Sequence, residues 1–409
     1  MTDLLPKQKE AFTKHISNKV GALFMKMGTG KTRVAVELVN AVENLDLVVY
    51  IAPLDIISPK KSLIKPISEE VNKWGGFNSK EVIYIGIETI GMSDRKYLQL
   101  YKKISTALNC FLIVDESIKV KNIGAKRTLR VIEFSKMVQY KLILNGEPIT
   151  RDLLDLWSQF YILDPEIINM SLAEFKNTFC KYTTITKSYP GTYKSYTKEF
   201  ITGYENIDYL YSLIGEYVYE CDLELNVQQI YETKTYSLCD DDLKIYNHLK
   251  ETYLNNEKLM AMNNNIFLEM TQKMQHNYCL TYEKFEIVDH FFKQYPEENS
   301  VIFCLFIASY ELCKERYPNS IVLNYNSSYG HNLQDDRFYT IFFDQTFDWG
   351  KIAQGGARTY RTGQENDCRY LRLVANVGLG QLYLNNNSKK IGISEYLKKI
   401  SKEQLKQLL

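Results

Sequence analysis

Five short runs, 22–25, 47–53, 82–85, 111–114 and 141–144, punctuate the first third of this chain with helix-length polar stretches between them. Apart from Lys141, each is continuously apolar rather than apolar at every second position, so each is expected to be buried on both faces. Strands of that kind belong to a parallel sheet, because parallel connections cross over it and cover it with helices. Proline stops the second run at Pro53. The fold class that follows is α/β.

Residues 22–25 feed a glycine-rich turn, Met27-Gly28-Thr29-Gly30-Lys31-Thr32, and residues 32–42 have the period of an amphipathic helix. Strand, glycine turn and helix in that order are the setting of a phosphate-binding loop. Gly28, Thr29 and Gly30 would turn backbone N–H groups toward phosphates, and the helix N-terminus adds its dipole. Lys31 would neutralise the outer phosphates of ATP, and the Thr32 hydroxyl would ligate Mg2+. Met25 stands where the fuller form of the loop has its first glycine. Asp115-Glu116 follows the fourth run, at the end of a parallel strand where such sheets place their magnesium carboxylate. Asp115 would hold the metal, and Glu116 would orient or deprotonate the attacking water.

Length and composition frame the rest. A chain of 409 residues exceeds one ordinary core, so two domains with connectors are expected. A net charge of +1 excludes a histone-like binder but not a groove lined locally with Lys and Arg. The eight cysteines are scattered, without a C-x-x-C pair, and read as buried, reduced thiols. The start of the chain reads as free of a signal peptide and no stretch is long and apolar enough to span a membrane, so the expected location is the cytoplasm. The 31 tyrosines, with abundant Asn, Lys and Ile, reflect an AT-rich coding style.

Farther along, residues 175–204 change to Thr, Tyr, Lys and Ser around Tyr189-Pro190-Gly191, which reads as a hairpin projecting from the first lobe. Polar helical sequence then extends to about residue 294, including 243–255 and 267–277. A second α/β run covers 301–305, 320–323 and 339–343, and 393–409 has the spacing of an amphipathic helix. The resulting division is 1–165 for a first ATP-binding lobe, 166–225 for a hairpin insertion and 226–295 for a helical connector. Residues 296–385 form a second lobe and 386–409 a closing helix.

Near the C-terminus lies Gln354-Gly355-Gly356-Ala357-Arg358-Thr359-Tyr360-Arg361-Thr362-Gly363-Gln364. Taken with the earlier strings, the chain resembles the Swi/Snf-like branch of superfamily-two helicases over nearly its whole length. Asp115-Glu116-Ser117-Ile118-Lys119-Val120-Lys121-Asn122 is similar to the family's D-E-[AS]-H-x-x-K-N box, with Ile118 where histidine is usual. Leu5-Pro6-Lys7-Gln8 resembles the motif whose glutamine reads adenine, and Ile51-Ala52-Pro53 resembles motif Ia. Asn145-Gly146-Glu147-Pro148-Ile149 with Asp155-Leu156-Trp157 resembles motif III, Asn145 and Glu147 replacing threonines. In the second lobe, residues 301–303 resemble motif IV, Tyr329 to Gln334 a shortened motif V, and Asp344 with Trp349 the following D-x-x-W step.

The resemblance implies two RecA-like parallel-sheet domains in tandem, the second shortened because only residues 308–325 separate motifs IV and V. It implies that Arg361 is the finger on the γ-phosphate, with Arg358 and Gln354 beside it, an arrangement suited to charge developing in phosphoryl transfer. It further implies a motor that closes on ATP and moves on duplex DNA, single strands being a second substrate. Lys121, Lys126, Arg127 and Ser328 are candidate phosphate contacts, and binding is expected to be salt-dependent. The small size is similar to phage-encoded members, which implies a role in replication or recombination and a replication or nuclease partner protein. Two other readings stay open, an ATP-gated DNA adaptor that does not translocate and an unrelated P-loop phosphotransferase.

Overall fold

The computed structural model describes residues 3–59, 65–146, 148–149, 153–188, 195–255, 264–325, 333–346 and 349–389. The chain divides into two compact units, Met1–Leu223 and Glu224–Leu409. The closing helix expected at 393–409 and the tip of the 175–204 hairpin lie outside the described residues.

In the first unit all five apolar runs fall on strands: β1 (Val20–Met25), β2 (Leu47–Ala52), β3 (Glu81–Gly86), β4 (Cys110–Asp115) and β5 (Tyr140–Leu144). Antiparallel strands β6 (Cys180–Ser188) and β7 (Ser195–Tyr204) follow, and then β8 (Val218–Cys221). The main sheet is parallel throughout, in the order β3-β2-β4-β5-β1-β8. Every residue of β2 and β4 is buried, as two-sided coverage requires. Burying each Val, Leu or Ile side chain there contributes about 1.5–3 kcal/mol. Register decides where the site lies. Asp115 pairs with Leu144, and Leu144 with Leu23, so the end of β4 and the start of the glycine loop share the carboxyl edge across β5.

The β6–β7 ribbon stands on helices that belong to the first core. Helices Leu172–Phe179 and Ile207–Ile214 bury Phe175, Phe179, Leu210 and Ile214 in the same cluster as β2 and β4. β8 then joins the main sheet beside β1. An edge strand of four residues, with Glu220 exposed, carries too little apolar pattern to be read from sequence.

The second unit has its own parallel sheet of β9 (Gln229–Tyr236), β10 (Ser300–Cys304), β11 (Ile321–Asn324), β12 (Tyr339–Phe342) and β13 (Cys368–Ala375). Its order is β11-β10-β12-β13-β9. β9 corrects the reading of 226–295 as helical. Helices occupy Asp240–Asn255, Asn264–Asn277 and Tyr282–Gln294, but 229–236 is an edge strand whose alternating exposed residues hide it. One face carries a row of rings: Tyr325 just past β11, Phe303 on β10, Phe342 on β12, Tyr370 on β13 and Tyr231 on β9. Part of the tyrosine usage is therefore core material; Tyr50, Tyr246, Tyr325 and Tyr370 are among the largest fully buried side chains.

Candidate nucleotide site

The glycine loop leaves β1 at Met25 and enters helix Lys31–Asn40. Gly28 (φ 83°) and Gly30 (φ 88°) both take the left-handed backbone that a side chain would strain. Space is also short, since a Cβ on Gly30 would clash with Gln8 Nε2. Gln8 is buried over the loop. Its Nε2 donates to the Thr29 carbonyl at 3.0 Å and its Oε1 accepts from the Leu5 N–H at 3.2 Å. Each end of the amide retains one further bonding position, a donor and an acceptor, as a base-reading glutamine requires. The Thr29 hydroxyl donates to the Lys26 carbonyl at 2.7 Å and closes the turn.

Lys31 Nζ donates to the Met25 carbonyl at 2.8 Å and the Lys26 carbonyl at 3.3 Å, so its charge is held at the mouth of the loop. Gly146 borders the same space. A Cβ there would lie 3.4 Å from Met27 Cγ and 3.8 Å from Lys31 Nζ. Thr32 is half-buried in the first turn of the helix.

Asp115 ends β4 and is buried. The Tyr50 hydroxyl donates to its Oδ2 at 2.8 Å, and the Glu116 N–H to its Oδ1 at 2.9 Å. Burial pushes the Asp115 pKa above the usual carboxylate value, opposed by the Tyr50 hydroxyl, the Lys31 charge and the Glu116 N–H. Glu116 itself adopts a left-handed backbone, φ 52°, at the head of a short 3-10 turn, Ser117–Val120. Among the described residues no group of three His, Cys, Asp or Glu could hold a metal ion unaided. The donors present suit Mg2+, which is usually bound by one or two protein oxygens together with substrate phosphates. Glycines that leave room for phosphates, an ammonium at the loop mouth and one buried carboxylate fit Mg2+ and a nucleoside triphosphate. Thr32 and Asp115 would hold the metal, which when bound neutralises developing phosphate charge.

Behind the box, the fully buried Ser117 hydroxyl donates to Gln159 Oε1 at 2.6 Å, while Asn145 Nδ2 reaches Ser117 Oγ at 3.4 Å. Gln159 Nε2 donates onward to the Pro148 carbonyl at 2.8 Å. Asn145, which replaces a motif III threonine, thus joins a polar chain to the carboxylate box. Tyr50 and Gln159 were missed from sequence. Their only signal was a polar atom inside an apolar run, Val-Val-Tyr-Ile-Ala and Trp-Ser-Gln-Phe-Tyr.

Of the candidate DNA contacts, Lys121 pairs with Asp155 at 3.1 Å and Lys126 with Asp94 at 2.7 Å. Arg130 shares Asp94, and Lys126 and Arg130 together hold that carboxyl down to about 2. Arg127 is half-buried with its Cβ against Gly91. Ser328, and residues 329–332 of the motif V resemblance, lie outside the described residues, as does Glu147.

In the second unit, helix Trp349–Gly356 rests its last glycines on the aromatic row. A Cβ on Gly355 would lie 3.1 Å from Phe342 and 3.3 Å from Phe303. Arg358 is buried and Arg361 half-buried in the turns that follow, not on a helix face. The Gln364 amide fixes these turns through the carbonyls of Gln334, Arg337 and Thr359, each at 3.1 Å. Gln354 lies on the helix, partly buried. The structure places Gln8, the loop, Lys31, Thr32, Asp115 and Glu116 at one edge of the first sheet, and Gln354, Arg358 and Arg361 on one segment of the second unit.

A glycine loop and a strand-end carboxylate on a parallel sheet, followed by a second parallel-sheet unit, define a P-loop protein of tandem RecA-like fold. Residues 76–285 match the SNF2-related domain, and the chain belongs to that family of Swi/Snf-like, helicase-type ATPase domains. It is 36% identical to Helicase domino of Drosophila melanogaster over 69 residues, which are 17% of this chain and 2% of that protein. It is 30% identical to Helicase swr1 of Schizosaccharomyces pombe over 67 residues, 16% of this chain and 5% of the relative. The matches thus take in a small fraction of the relatives' length. Among solved structures, the Sulfolobus solfataricus SWI2/SNF2 ATPase core in complex with dsDNA aligns over 100% of this chain and 97% of that one, at 16% identity and TM-score 0.43.

Proposed function

We propose that the chain is a DNA-dependent ATPase that uses ATP hydrolysis to move along duplex DNA. The observation that carries this reading is the gathering of Lys31, Thr32, Asp115 and Glu116 at one carboxyl edge in a chain of the SNF2-related family. Lys31 and the loop N–H groups bind the phosphates, Thr32 and Asp115 hold Mg2+, and Glu116 takes a proton from the attacking water. Arg358 and Arg361 stabilise the charge of the transferring phosphoryl group, with Gln354 beside them. Lys126, whose pairing with Asp94 is exposed and therefore weak, exchanges that partner for a DNA phosphate, with Lys121, Arg127 and Ser328 nearby in function. The task we assign to this motor is DNA replication or recombination, with a replication or nuclease protein as partner.

The test is ATP hydrolysis by the full chain alone and with single-stranded DNA, duplex DNA or RNA, beside Lys31→Ala and Arg361→Ala. Duplex DNA should stimulate turnover at least tenfold. Lys31→Ala should abolish turnover, and Arg361→Ala should lower it by about 10³-fold. Hydrolysis indifferent to nucleic acid sinks the reading. DNA binding gated by ATP, without displacement of a triplex-forming strand, would make the chain an adaptor instead.

A further inference from the structure

Tyr50 lies in the middle of β2, its side chain fully buried, on a strand that is otherwise aliphatic. β2 runs parallel to β4 with Tyr50 opposite Ile113, two residues short of Asp115, and the long phenol reaches along the strand to the carboxylate. Its ring sits among Tyr84, with centroids 5.8 Å apart, and Phe77, at 6.2 Å. The hydroxyl donates to Asp115 Oδ2 at 2.8 Å, and the opposite oxygen takes the Glu116 N–H at 2.9 Å. Each carboxylate oxygen therefore has one donor from a different element, one a neighbouring strand and the other the chain's own next peptide.

A buried carboxylate without donors is costly to keep charged and free to turn. With one donor on each oxygen its plane is fixed, and half of its roughly four lone-pair positions stay open for other ligands. We propose that Tyr50 is a positioning residue of the magnesium site: through its hydrogen bond it holds the Asp115 carboxyl oriented before metal arrives. Tyr50 does not touch nucleotide or metal in this role. The proposal rests on the reading of Asp115 as the Mg2+ ligand, and it adds a residue on β2 to a site otherwise built from β1 and β4. Outer partners that orient a ligand in this way characteristically change metal affinity by about 10–100-fold.

The experiment titrates a fluorescent ADP analogue onto the full chain with and without Mg2+, for the wild type, Tyr50→Phe and Asp115→Asn, with thermal melts alongside. Tyr50→Phe keeps the ring and its packing. It should leave Mg2+-free ADP affinity within twofold of wild type and raise the Mg2+ concentration giving half-maximal enhancement about tenfold. Asp115→Asn should remove the enhancement. 3-Fluorotyrosine at position 50 retains the donor and should restore wild-type Mg2+ dependence; if Tyr50→Phe does not fold, di- and trifluorotyrosines provide a graded series of donors that should shift the dependence progressively. An unchanged Mg2+ dependence in Tyr50→Phe, or across that series, overturns the proposal, even if the melting temperature falls. Enhancement that survives Asp115→Asn overturns the underlying assignment of Asp115, and the role of Tyr50 with it.

Discussion

Glu116 carries the strain of the site in its own backbone. At φ 52° and ψ 50° it occupies the left-handed region, which costs a residue with a Cβ about 1–2 kcal/mol. The turn directs Ser117 into the interior and hands the Glu116 N–H back to Asp115, so the strain and the carboxylate geometry have one origin. Glycine would relieve that strain, while its greater freedom in the unfolded chain costs about 0.5–1 kcal/mol. Glu116→Gly and Glu116→Ala remove the same carboxylate and differ only in this backbone balance. Glycine should therefore be the more stable of the two by roughly 0.5–1 kcal/mol in urea unfolding, reversing the order found in helices. Both variants should lose about 10²-fold or more of ATP turnover. Equal stability, or alanine ahead, would show that the left-handed turn stores nothing.

Among the elements, the helix Leu154–Leu163 links box and motif III through a glutamine that its sequence pattern assigns to the core. Gln159 is fully buried because both ends of its amide are used, by Ser117 on one side and the Pro148 and Asp155 carbonyls on the other. Gln159→Leu suits the surrounding apolar packing but strands the Ser117 hydroxyl, and should cost about 1–3 kcal/mol. Adding Ser117→Ala removes the stranded group, so the double variant should be more stable than the sum of the two single losses predicts, by about 1 kcal/mol or more. Additive losses in denaturant unfolding would mean the two side chains do not support each other. The same contrast explains what was legible. Strands β1 to β5 and β10 to β12 are each built on a mostly apolar run and declare themselves. The glycine loop and Asp115 could be placed because a strand preceded each. β8 and β9 are edge strands with exposed charged residues and carry no such signal. Tyr50 and Gln159 act through distances that only the packed sheet and helix create. The helix Pro6–His15 makes the same point, since β8 and the turn before it tie down the element carrying Gln8: the Tyr219 hydroxyl donates to Glu10, and Lys14 donates to the Gly215 carbonyl, each at 2.8 Å.

At the scale of the molecule, each unit has its own sheet and core, and each keeps polar groups buried for a different reason. In the first unit the buried carboxylate lies at the candidate nucleotide site. In the second, Asp344 and Lys284 are both fully buried and pair at 2.8 Å. Asp344 also accepts the Leu305 N–H at 2.9 Å and the Ser309 hydroxyl at 3.2 Å, and Lys284 donates to the Cys279 carbonyl at 2.9 Å. Burial is the largest single effect and lowers the Lys284 pKa, but the Asp344 charge, Tyr236 and the hydrogen bond to Asp344 together outweigh it and leave the ammonium above its ordinary value. The pair joins helix Tyr282–Gln294 to the segment after β12 and to the start of helix Ile307–Arg316. Lys284→Met leaves a buried carboxylate without its counter-ion, which should cost the second unit about 3–5 kcal/mol. Lys284→Met with Asp344→Asn removes both charges and should recover a large part of that loss. Hydrogen exchange followed by mass spectrometry locates the effect: peptides of β10 and β12 should exchange faster in Lys284→Met, while those of β1 and β4 should not change. Because the second unit also carries Arg358 and Arg361, Mg2+-dependent ADP binding by the first unit should survive while ATP turnover falls. Loss of protection in both units together would mean that they unfold as one.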